Sequence, residues 1–347
     1  MAMFKNMVFL FLCISTAIFP FFNGMNDIDA RGQALGGAVS ALPTDVNVIG
    51  VNPAGIPFIK NTIATFMANP KNVGTEDSIL ADAMLSGAMT FSPFGGAGFA
   101  VNYEGLVIGN KLTLSVFQAT IGYGIRVLPE LSIGVGGRLQ NWALNQDEFG
   151  VGYNNFGVNV NAGIYYMISE NFSAAISGNN LLGPMLNNSS GKDKTLEGRN
   201  FSDMSVRAGF GFRTTAEDIL ADIDLQYTAN DLTDLTLGSF NVLIGSEFFV
   251  RKFLALRFGL EFDDLIHYQN ILQNINISAG IGYIIGAFQI DVAYRNSPTG
   301  LTSVGTFAAS LTYTIPFKVV LKNVGPDIKG PSTGPQEVIP SGDTAND

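Results

Sequence analysis

The chain has few of the residues with which most enzymes and metalloproteins carry out chemistry. Its 347 residues include one cysteine, one histidine and one tryptophan, and 14% of them are charged. The cysteine, Cys13, lies in an apolar N-terminal segment, so a chain without that segment forms no disulfide and has no thiolate nucleophile. His267 alone builds neither a Ser-His-Asp triad nor a histidine metal cluster. We therefore predict no catalytic residue, no metal site and no cofactor.

The sequence also lacks long apolar runs after its N-terminal segment. A mean hydropathy of +0.26 is typical of membrane proteins. Beyond residue 22, however, there is no run of the roughly 18 apolar residues that a membrane-spanning helix needs. A closed β-barrel is the other way to satisfy backbone hydrogen bonds in a bilayer. The net charge of −10 argues against a nucleic-acid partner.

The first 24 residues have the pattern of a secretory signal peptide. Lys5 supplies the positive charge, and the apolar region runs from Met7 to Phe19. Cleavage at residues 15–17 and cleavage near Gly24 both fit the sequence. We therefore predict an exported protein, with residues 1–24 as its signal peptide.

A segment of small residues follows, from Ala30 to Gly55. Alanines and larger apolar residues recur there at helical spacing, which predicts a short helix that extends up to Pro43. Gly36 and Gly37 weaken that helix, and the sequence from Asn52 to Gly55 is typical of a turn. We predict that residues 25–60 form a plug inside a barrel. The alternative is an N-terminal cap on a soluble domain.

From about residue 61, the sequence alternates with the period of two expected for β-strands. Between Leu254 and Phe262, for example, large apolar residues alternate with small or charged ones. The alternating segments have the length that crosses a membrane. We predict an all-β, antiparallel up-and-down transmembrane barrel of about fourteen strands, near residues 61–69, 84–92, 95–104, 111–127, 131–142, 155–168, 172–179, 203–214, 220–228, 240–250, 254–263, 274–285, 287–295 and 304–317.

The connections between these strands alternate in length. Odd-numbered connections, such as residues 180–202, are long, whereas even-numbered ones, such as residues 128–130, are short. Outer-membrane barrels have short periplasmic turns and longer external loops. We therefore predict that the plug, the short turns and the C-terminus lie on the periplasmic side. The barrel would occupy residues 61–317, and residues 318–347, rich in Pro, Gly, Ser and Asp, would form a flexible periplasmic tail.

One predicted strand changes phase. Leu112, Leu114 and Val116 share one face, whereas Phe117 begins an apolar set that is one residue out of step. This pattern predicts a β-bulge near residues 116–118. A side passage through the wall and a local adjustment of strand twist are both open as its role.

Three arginines are predicted to face the lumen. Arg138, Arg207 and Arg257 occupy the inward positions of their strands, where each is a candidate to bind a carboxylate ligand. The alternative is a structural ion network within the barrel, and it is favoured by inward acidic residues, namely Glu247, Glu261 and Asp291.

These features resemble the FadL-like outer-membrane transporters of long-chain fatty acids. The resemblance rests on the signal peptide, the segment ARGQALGGAVSALPTDVNVIGVNPAG and the predicted strands. PorV-type and spirochaetal outer-membrane barrel proteins have a similar segment. The resemblance implies a plug that blocks the barrel, a turn at Asn52, Pro53 and Ala54, and a lateral opening in the wall. We assign a gating role to these three residues and to Gly36, Gly37 and Gly55.

The resemblance also implies a function. We expect transport of hydrophobic molecules, long-chain fatty acids or other lipids, across the outer membrane of a diderm bacterium. The expected partners are those molecules, outer-membrane lipids and the barrel-insertion machinery. The alternatives are a PorV-like platform that binds secreted proteins and a general diffusion porin. An enzyme is not expected.

Overall fold

The computed structural model shows a closed antiparallel β-barrel that encloses its own N-terminal segment. The structure describes residues 28–72, 78–91, 95–108, 111–146, 151–182, 188–191, 204–229, 238–267, 274–296 and 305–315. Within these ranges, fourteen strands form the wall of the barrel. A fifteenth, short strand, residues 188–191, pairs with residues 153–156 of one wall strand.

The elements follow one another in a simple order. Two short helices and a 3₁₀ helix come first: α1 (Ala30–Ala34), α2 (Val48–Val51) and the 3₁₀ helix (Pro53–Phe58). The strands are β1 (Thr62–Asn72), β2 (Ser78–Phe91), β3 (Gly95–Ile108), β4 (Lys111–Arg126), β5 (Leu131–Gln146), β6 (Val151–Met167), β7 (Phe172–Asn179), β8 (Asn188–Gly191), β9 (Met204–Arg213), β10 (Ile219–Ala229), β11 (Ser239–Arg251), β12 (Leu254–Phe262), β13 (Ile275–Ile285), β14 (Phe288–Arg295) and β15 (Thr306–Ile315).

The barrel closes where its first and last strands meet. β1 pairs with β15 in an antiparallel ladder that runs from Thr62 opposite Ile315 to Ala68 opposite Ala309. This closure leaves neither β1 nor β15 with a free edge, so their backbone groups are hydrogen-bonded within the sheet.

The barrel is apolar outside and polar inside. Along β13, Ile277 and Ile281 are 54% and 55% exposed, whereas Asn276 and Ser278, which point inward, are buried. A water-soluble protein has the opposite arrangement, and a barrel that spans a membrane has this one. Among the described residues, no helix is long and apolar enough to cross a bilayer.

The structure confirms the predicted fold class. It also extends several strands at the end opposite the short turns. β5 continues to Gln146 and β6 begins at Val151, so the predicted external loop of residues 143–154 is mostly strand. Backbone pairing continues past the apolar alternation there, because the ladder needs hydrogen bonds and not apolar side chains. β8 lies within the predicted loop of residues 180–202 and pairs with β6.

The bulge predicted from the phase change is present in β4, but it lies between Leu112 and Leu114 and not at residues 116–118. Val116 is buried, Phe117 is exposed, and both belong to continuous ladders with β3 and β5. The register shift lies earlier, where Leu106 pairs with Leu114 and Val107 with Leu112. The phase change in the sequence therefore reflects the inward side chain of Val116 and the register shift near the start of β4.

Two predicted segments lie outside the described residues. These are the signal peptide (residues 1–24) and the periplasmic tail (residues 318–347). Both therefore stay predictions from sequence.

The lipid-facing surface predicts a depth-dependent effect of charge. Ile281→Arg places a guanidinium well inside the apolar belt, whereas Ile285→Arg places it beside the short turn at Gly286, and both isoleucines are 55% exposed. We expect Ile281→Arg to lower the free energy of unfolding by about 2–4 kcal/mol and Ile285→Arg by about 0–1 kcal/mol. Urea unfolding in lipid vesicles measures both values. Equal losses would contradict the assigned depth.

Candidate functional site

The plug segment, residues 28–60, lies inside the barrel and is almost entirely buried. α1 packs against β12–β15, and the 3₁₀ helix packs against β2–β6. The segment leaves the lumen at the end that carries the short turns. There, Arg126, which immediately precedes such a turn, donates to the carbonyl oxygen of Pro57 at 2.8 Å. Lys60 pairs with Glu217 in another of these turns.

A glycine pair ends α1 earlier than the sequence predicts. The helix stops at Ala34, and Gly36 and Gly37 follow with φ angles of +65° and +80°. A side chain at Gly36 would lie 3.1 Å from the backbone nitrogen of Leu260, so the chain reverses directly against β12. The predicted helix up to Pro43 is therefore wrong, because left-handed backbone at two successive residues ends it.

Asn52 fixes the turn that the sequence predicts between Asn52 and Gly55. Its side-chain oxygen accepts from the backbone N–H of Ala54 at 3.2 Å and so caps the 3₁₀ helix. Its side-chain nitrogen donates to the carbonyl oxygens of Ser40 and Ile164, both at 3.3 Å. Asn52 thus joins two parts of the plug segment to β6.

The wall is shaped to receive this turn. A Cβ atom at Gly134 on β5 would lie 2.2 Å from the backbone nitrogen of Ala54. A Cβ atom at Gly163 on β6 would lie 2.1 Å from the side-chain oxygen of Asn52. Next to Gly134, the hydroxyl of Ser132 donates to the carbonyl oxygen of Ala54. Glycine at these positions lets the backbone of the plug segment contact the backbone of the wall.

A buried ion cluster joins the plug segment to β11. Arg31 donates to both carboxylate oxygens of Glu247, at 3.1 and 2.5 Å, and also pairs with Asp45. Arg257 on β12 donates to Glu247 at 2.6 Å and to Asp291 on β14 at 2.7 Å. Glu247 is therefore shared by one arginine of the plug segment and one of the wall, both of them buried.

A second polar anchor lies on β9 and β10. The carboxylate of Asp224 accepts from the backbone N–H groups of Val39 and Ser40, both at 3.2 Å. Asp222 accepts from the backbone N–H of Ala41 at 3.0 Å. Arg207 donates to the carbonyl oxygen of Gly37 at 2.8 Å and to Asp224 at 3.3 Å. Wall side chains thus satisfy backbone groups that the non-helical part of the plug segment leaves free.

The three predicted arginines all face the lumen, in different surroundings. Arg207 and Arg257 bind carboxylates of the wall, as described above. Arg138 donates instead to the hydroxyl of Thr120 and to the side-chain oxygen of Asn180, both at 3.2 Å. Their predicted role in binding a ligand stays a proposal.

Sequence reasoning missed Arg31 and its partner Asp45. Arg31 is 5% exposed and is the one arginine in the segment from Ala30 to Gly55, which is rich in small and apolar residues. A single arginine in such a segment is the signal that could have identified it, because a buried guanidinium requires carboxylate partners.

Asp29 immediately precedes α1 and caps it. Its carboxylate accepts from the backbone N–H of Gly32 and the side chain of Asn47, both at 2.9 Å. Burial, together with the charges of Asp45 and Asp291, raises the pKa of Asp29 to about 7. The carboxyl group therefore titrates near neutrality where the described part of the plug segment begins.

The fold and the site together define a plugged membrane barrel. No protein-family model matches the chain, and no curated protein matches it. Solved structures do. They include a FadL homologue from Pseudomonas aeruginosa (13% identity, TM-score 0.54, 82% of this chain and 98% of that one). They also include the toluene transporter TodX from Pseudomonas putida (12% identity, TM-score 0.61, 85% of this chain and 99% of that one). A third is the toluene transporter TbuX from Ralstonia pickettii (11% identity, TM-score 0.54, 84% of this chain and 98% of that one).

These similarities establish the fold. The structural neighbours are FadL-family outer-membrane transporters, and this chain has the FadL-type barrel fold. The fold predicted by the sequence resemblance is confirmed.

The fit between Gly134 and the plug segment can be tested with two alanines on one strand. Gly134→Ala creates a clash with Ala54, whereas a Cβ atom at Gly137 would meet its nearest neighbour, Ile121, at 3.8 Å. Overpacking of this kind costs about 1–3 kcal/mol, so we expect Gly134→Ala to make open-channel events roughly tenfold more frequent. Single-channel recording in planar bilayers measures this. Gly137→Ala should behave as the wild type, and identical recordings for both variants would contradict the fit.

The ion cluster predicts a large loss of stability when Glu247 is neutralised. Glu247→Gln leaves Arg31 and Arg257 buried without their shared carboxylate, so we expect about 3–5 kcal/mol lower free energy of unfolding. Glu217→Gln is the control, because its partner Lys60 is 65% exposed and such pairs contribute about 0–1 kcal/mol. Urea unfolding in vesicles compares them. A loss for Glu247→Gln no greater than for the control would show that the cluster does not hold the plug segment.

Proposed function

We propose that this chain passes hydrophobic molecules across the outer membrane of a diderm bacterium, with long-chain fatty acids as the first class to test. One observation carries the proposal: a closed membrane barrel contains a plug segment that its wall is shaped to hold. The proteins that share this fold include a FadL homologue and two toluene transporters, and the match covers nearly their full length. Lipids cross open aqueous pores poorly, so a plugged barrel suits them better than a porin.

Arg138 is the arginine that we propose for the carboxylate of a fatty acid. Arg207 and Arg257 donate to carboxylates that anchor or surround the plug segment. The contacts of Arg138 include hydrogen bonds to the neutral oxygens of Thr120 and Asn180, and a carboxylate is a stronger acceptor for a guanidinium than either. A ligand could therefore replace these contacts without breaking the anchors.

The wall between β6 and β7 is our proposed lateral exit. The pairing of β7 with β6 ends at Gly178 opposite Ala162, whereas β6 begins at Val151, 11 positions before Ala162. Asn180 has a φ angle of +56°, and the N–H of Leu181 donates to the carbonyl oxygen of Val160 at 2.9 Å. The next described pairing is between Phe156 and Asn188. Between these two pairings the described residues on this side of β6 show no further strand pairing, and Arg138 contacts Asn180 nearby.

In this proposal, Asn52, Pro53, Ala54 and Gly55 act with Gly36 and Gly37 as gating elements. The first four form the turn held by β5 and β6, and the two glycines form the reversal against β12. These contacts fix the position of the plug segment and so control access to the lumen. The barrel-insertion machinery and the lipids of the outer membrane are the partners that this function requires.

A second candidate function is a platform that binds secreted proteins. It is favoured by the buried ion pairs of Arg31, which would have to separate before the plug segment moves. The two functions differ in what the purified protein does. A platform captures an exported protein and gives no uptake of hydrophobic molecules.

Uptake into proteoliposomes tests the transport function and the role of Arg138 together. The vesicles carry lipopolysaccharide in their outer leaflet, so that hydrophobic molecules do not enter through the lipid alone. We expect the wild type to take up dodecanoate and toluene faster than empty vesicles do. Arg138→Gln loses a charge-assisted hydrogen bond and should slow dodecanoate roughly tenfold, with toluene unchanged.

Each result has a distinct meaning. No uptake of either molecule by the wild type would reject transport of hydrophobic molecules. Equal slowing of dodecanoate and toluene by Arg138→Gln would reject Arg138 as the carboxylate partner. Toluene uptake without dodecanoate uptake would reject fatty acids and retain the broader function.

A further inference from the structure

The plug segment has two unlike faces. Hydrogen bonds and ion pairs hold it against β4–β7 and β9–β11. Toward β1–β3 and β15 it presents apolar side chains instead, which pack with the wall in one buried cluster. We call this interface the apolar seam and define it by six residues: Ile49, Ile56, Ile63, Met67, Met84 and Ala100.

The two faces respond differently to separation. Opening the anchored face would separate the buried guanidinium of Arg31 from Glu247 and the backbone N–H groups of Val39 and Ser40 from Asp224, which carries a large penalty. Opening the apolar seam breaks the apolar contacts of the cluster and two long hydrogen bonds of Gln33, and it separates none of the ion pairs described above. A hydrocarbon chain that enters the seam restores the same kind of contact, so the protein loses little when an apolar guest takes the place of one side of the interface.

Two methionines form the wall side of the seam. Met67 on β1 and Met84 on β2 are directly paired across the strands and are 2% and 1% exposed. Methionine is unbranched and adjusts its shape to irregular apolar neighbours, which suits a surface that must fit both the plug segment and a guest.

The outer end of the seam is closed by a weakly held polar side chain. Gln33 of α1 donates to the sulfur of Met67 at 3.4 Å and accepts from Asn69 at 3.4 Å. The side-chain oxygen of Asn69 is buried and has no hydrogen-bond partner among the described residues. Movement of Gln33 therefore breaks two long contacts, one of which is to the sulfur of Met67.

The seam lies close to Arg138. Ala100 on β3 pairs with Thr120 on β4, which in turn pairs with Arg138 on β5. Two strand spacings amount to about 10 Å. A carboxylate bound to Arg138 can therefore extend its chain toward the seam.

We propose that the apolar seam binds the hydrocarbon chain of the transported molecule and is its path past the plug segment. The plug segment stays attached to β4–β7 and β9–β11 while the guest passes along β1–β3. This inference rests on the proposed transport function and adds the location of the apolar site.

Single cysteines can locate the bound chain. Cys13→Ser removes the one natural cysteine, and Met84→Cys then places a thiol in the seam. Leu243→Cys is the control, because Leu243 is 3% exposed and contacts Gly37 on the anchored face. In lipid vesicles, dodecanoate at three times its Kd should slow the maleimide reaction of Met84→Cys about fourfold, since only the empty molecules react. Leu243→Cys should be unaffected.

Uptake supplies an independent measurement. Met84→Gln places an amide in the apolar seam and should slow dodecanoate and toluene uptake roughly tenfold. Met84→Leu, which keeps the site apolar, should restore uptake. Leu243→Gln makes a comparable substitution on the anchored face and should leave uptake within about twofold of the wild type.

The outcomes separate this inference from the proposed function. Wild-type uptake without protection of Met84→Cys, or with equal protection of Leu243→Cys, would overturn the seam and leave transport intact. Equal slowing by Met84→Gln and Leu243→Gln would also overturn it. Absence of uptake by the wild type would instead reject the proposed function itself.

Discussion

The shared carboxylate of Glu247 is the interaction on which the arrangement of the lumen depends. It neutralises Arg31 of the plug segment and Arg257 of the wall at once, and Asp45 and Asp291 complete the cluster. Because a buried guanidinium is costly without a carboxylate, the plug segment has one favourable position relative to β11. The glycine contacts on β5 and β6 and the hydrogen bonds to β10 are consistent with that position. The apolar seam is the face on which no such constraint acts.

The fold could be predicted from the sequence because alternation and loop length both follow from the membrane. Residues that face lipid must be apolar, so β12 and β13 are visible as alternating segments. The parts of β5 and β6 farthest from the short turns were not predicted. Backbone pairing continues there although the residues do not alternate between apolar and polar. β8 is short and polar, and only its pairing with β6 defines it as a strand.

The site was predicted less completely. The position of each residue within its strand predicts that Arg138, Arg207 and Arg257 face the lumen. The structure confirms this orientation. The hydrogen-bond and ion-pair partners of these arginines depend on which residues lie near them in three dimensions. The alternation of apolar and polar residues along a strand does not predict that. Arg31 and Glu247 are separated by 216 positions in the chain, and no local pattern connects them. The turn at Asn52 was visible because asparagine followed by proline has a local conformational meaning.

The closure of β1 on β15 has a consequence for how the protein is made. The plug segment directly precedes β1, contacts strands around most of the circumference, and fits a wall with no free edge. A completed ring offers it no entrance at the level of the sheet. The segment can enter the ring through one of its ends, and it leaves the lumen at the end that carries the short turns. Closure of the wall and placement of the plug segment are therefore separable steps of assembly.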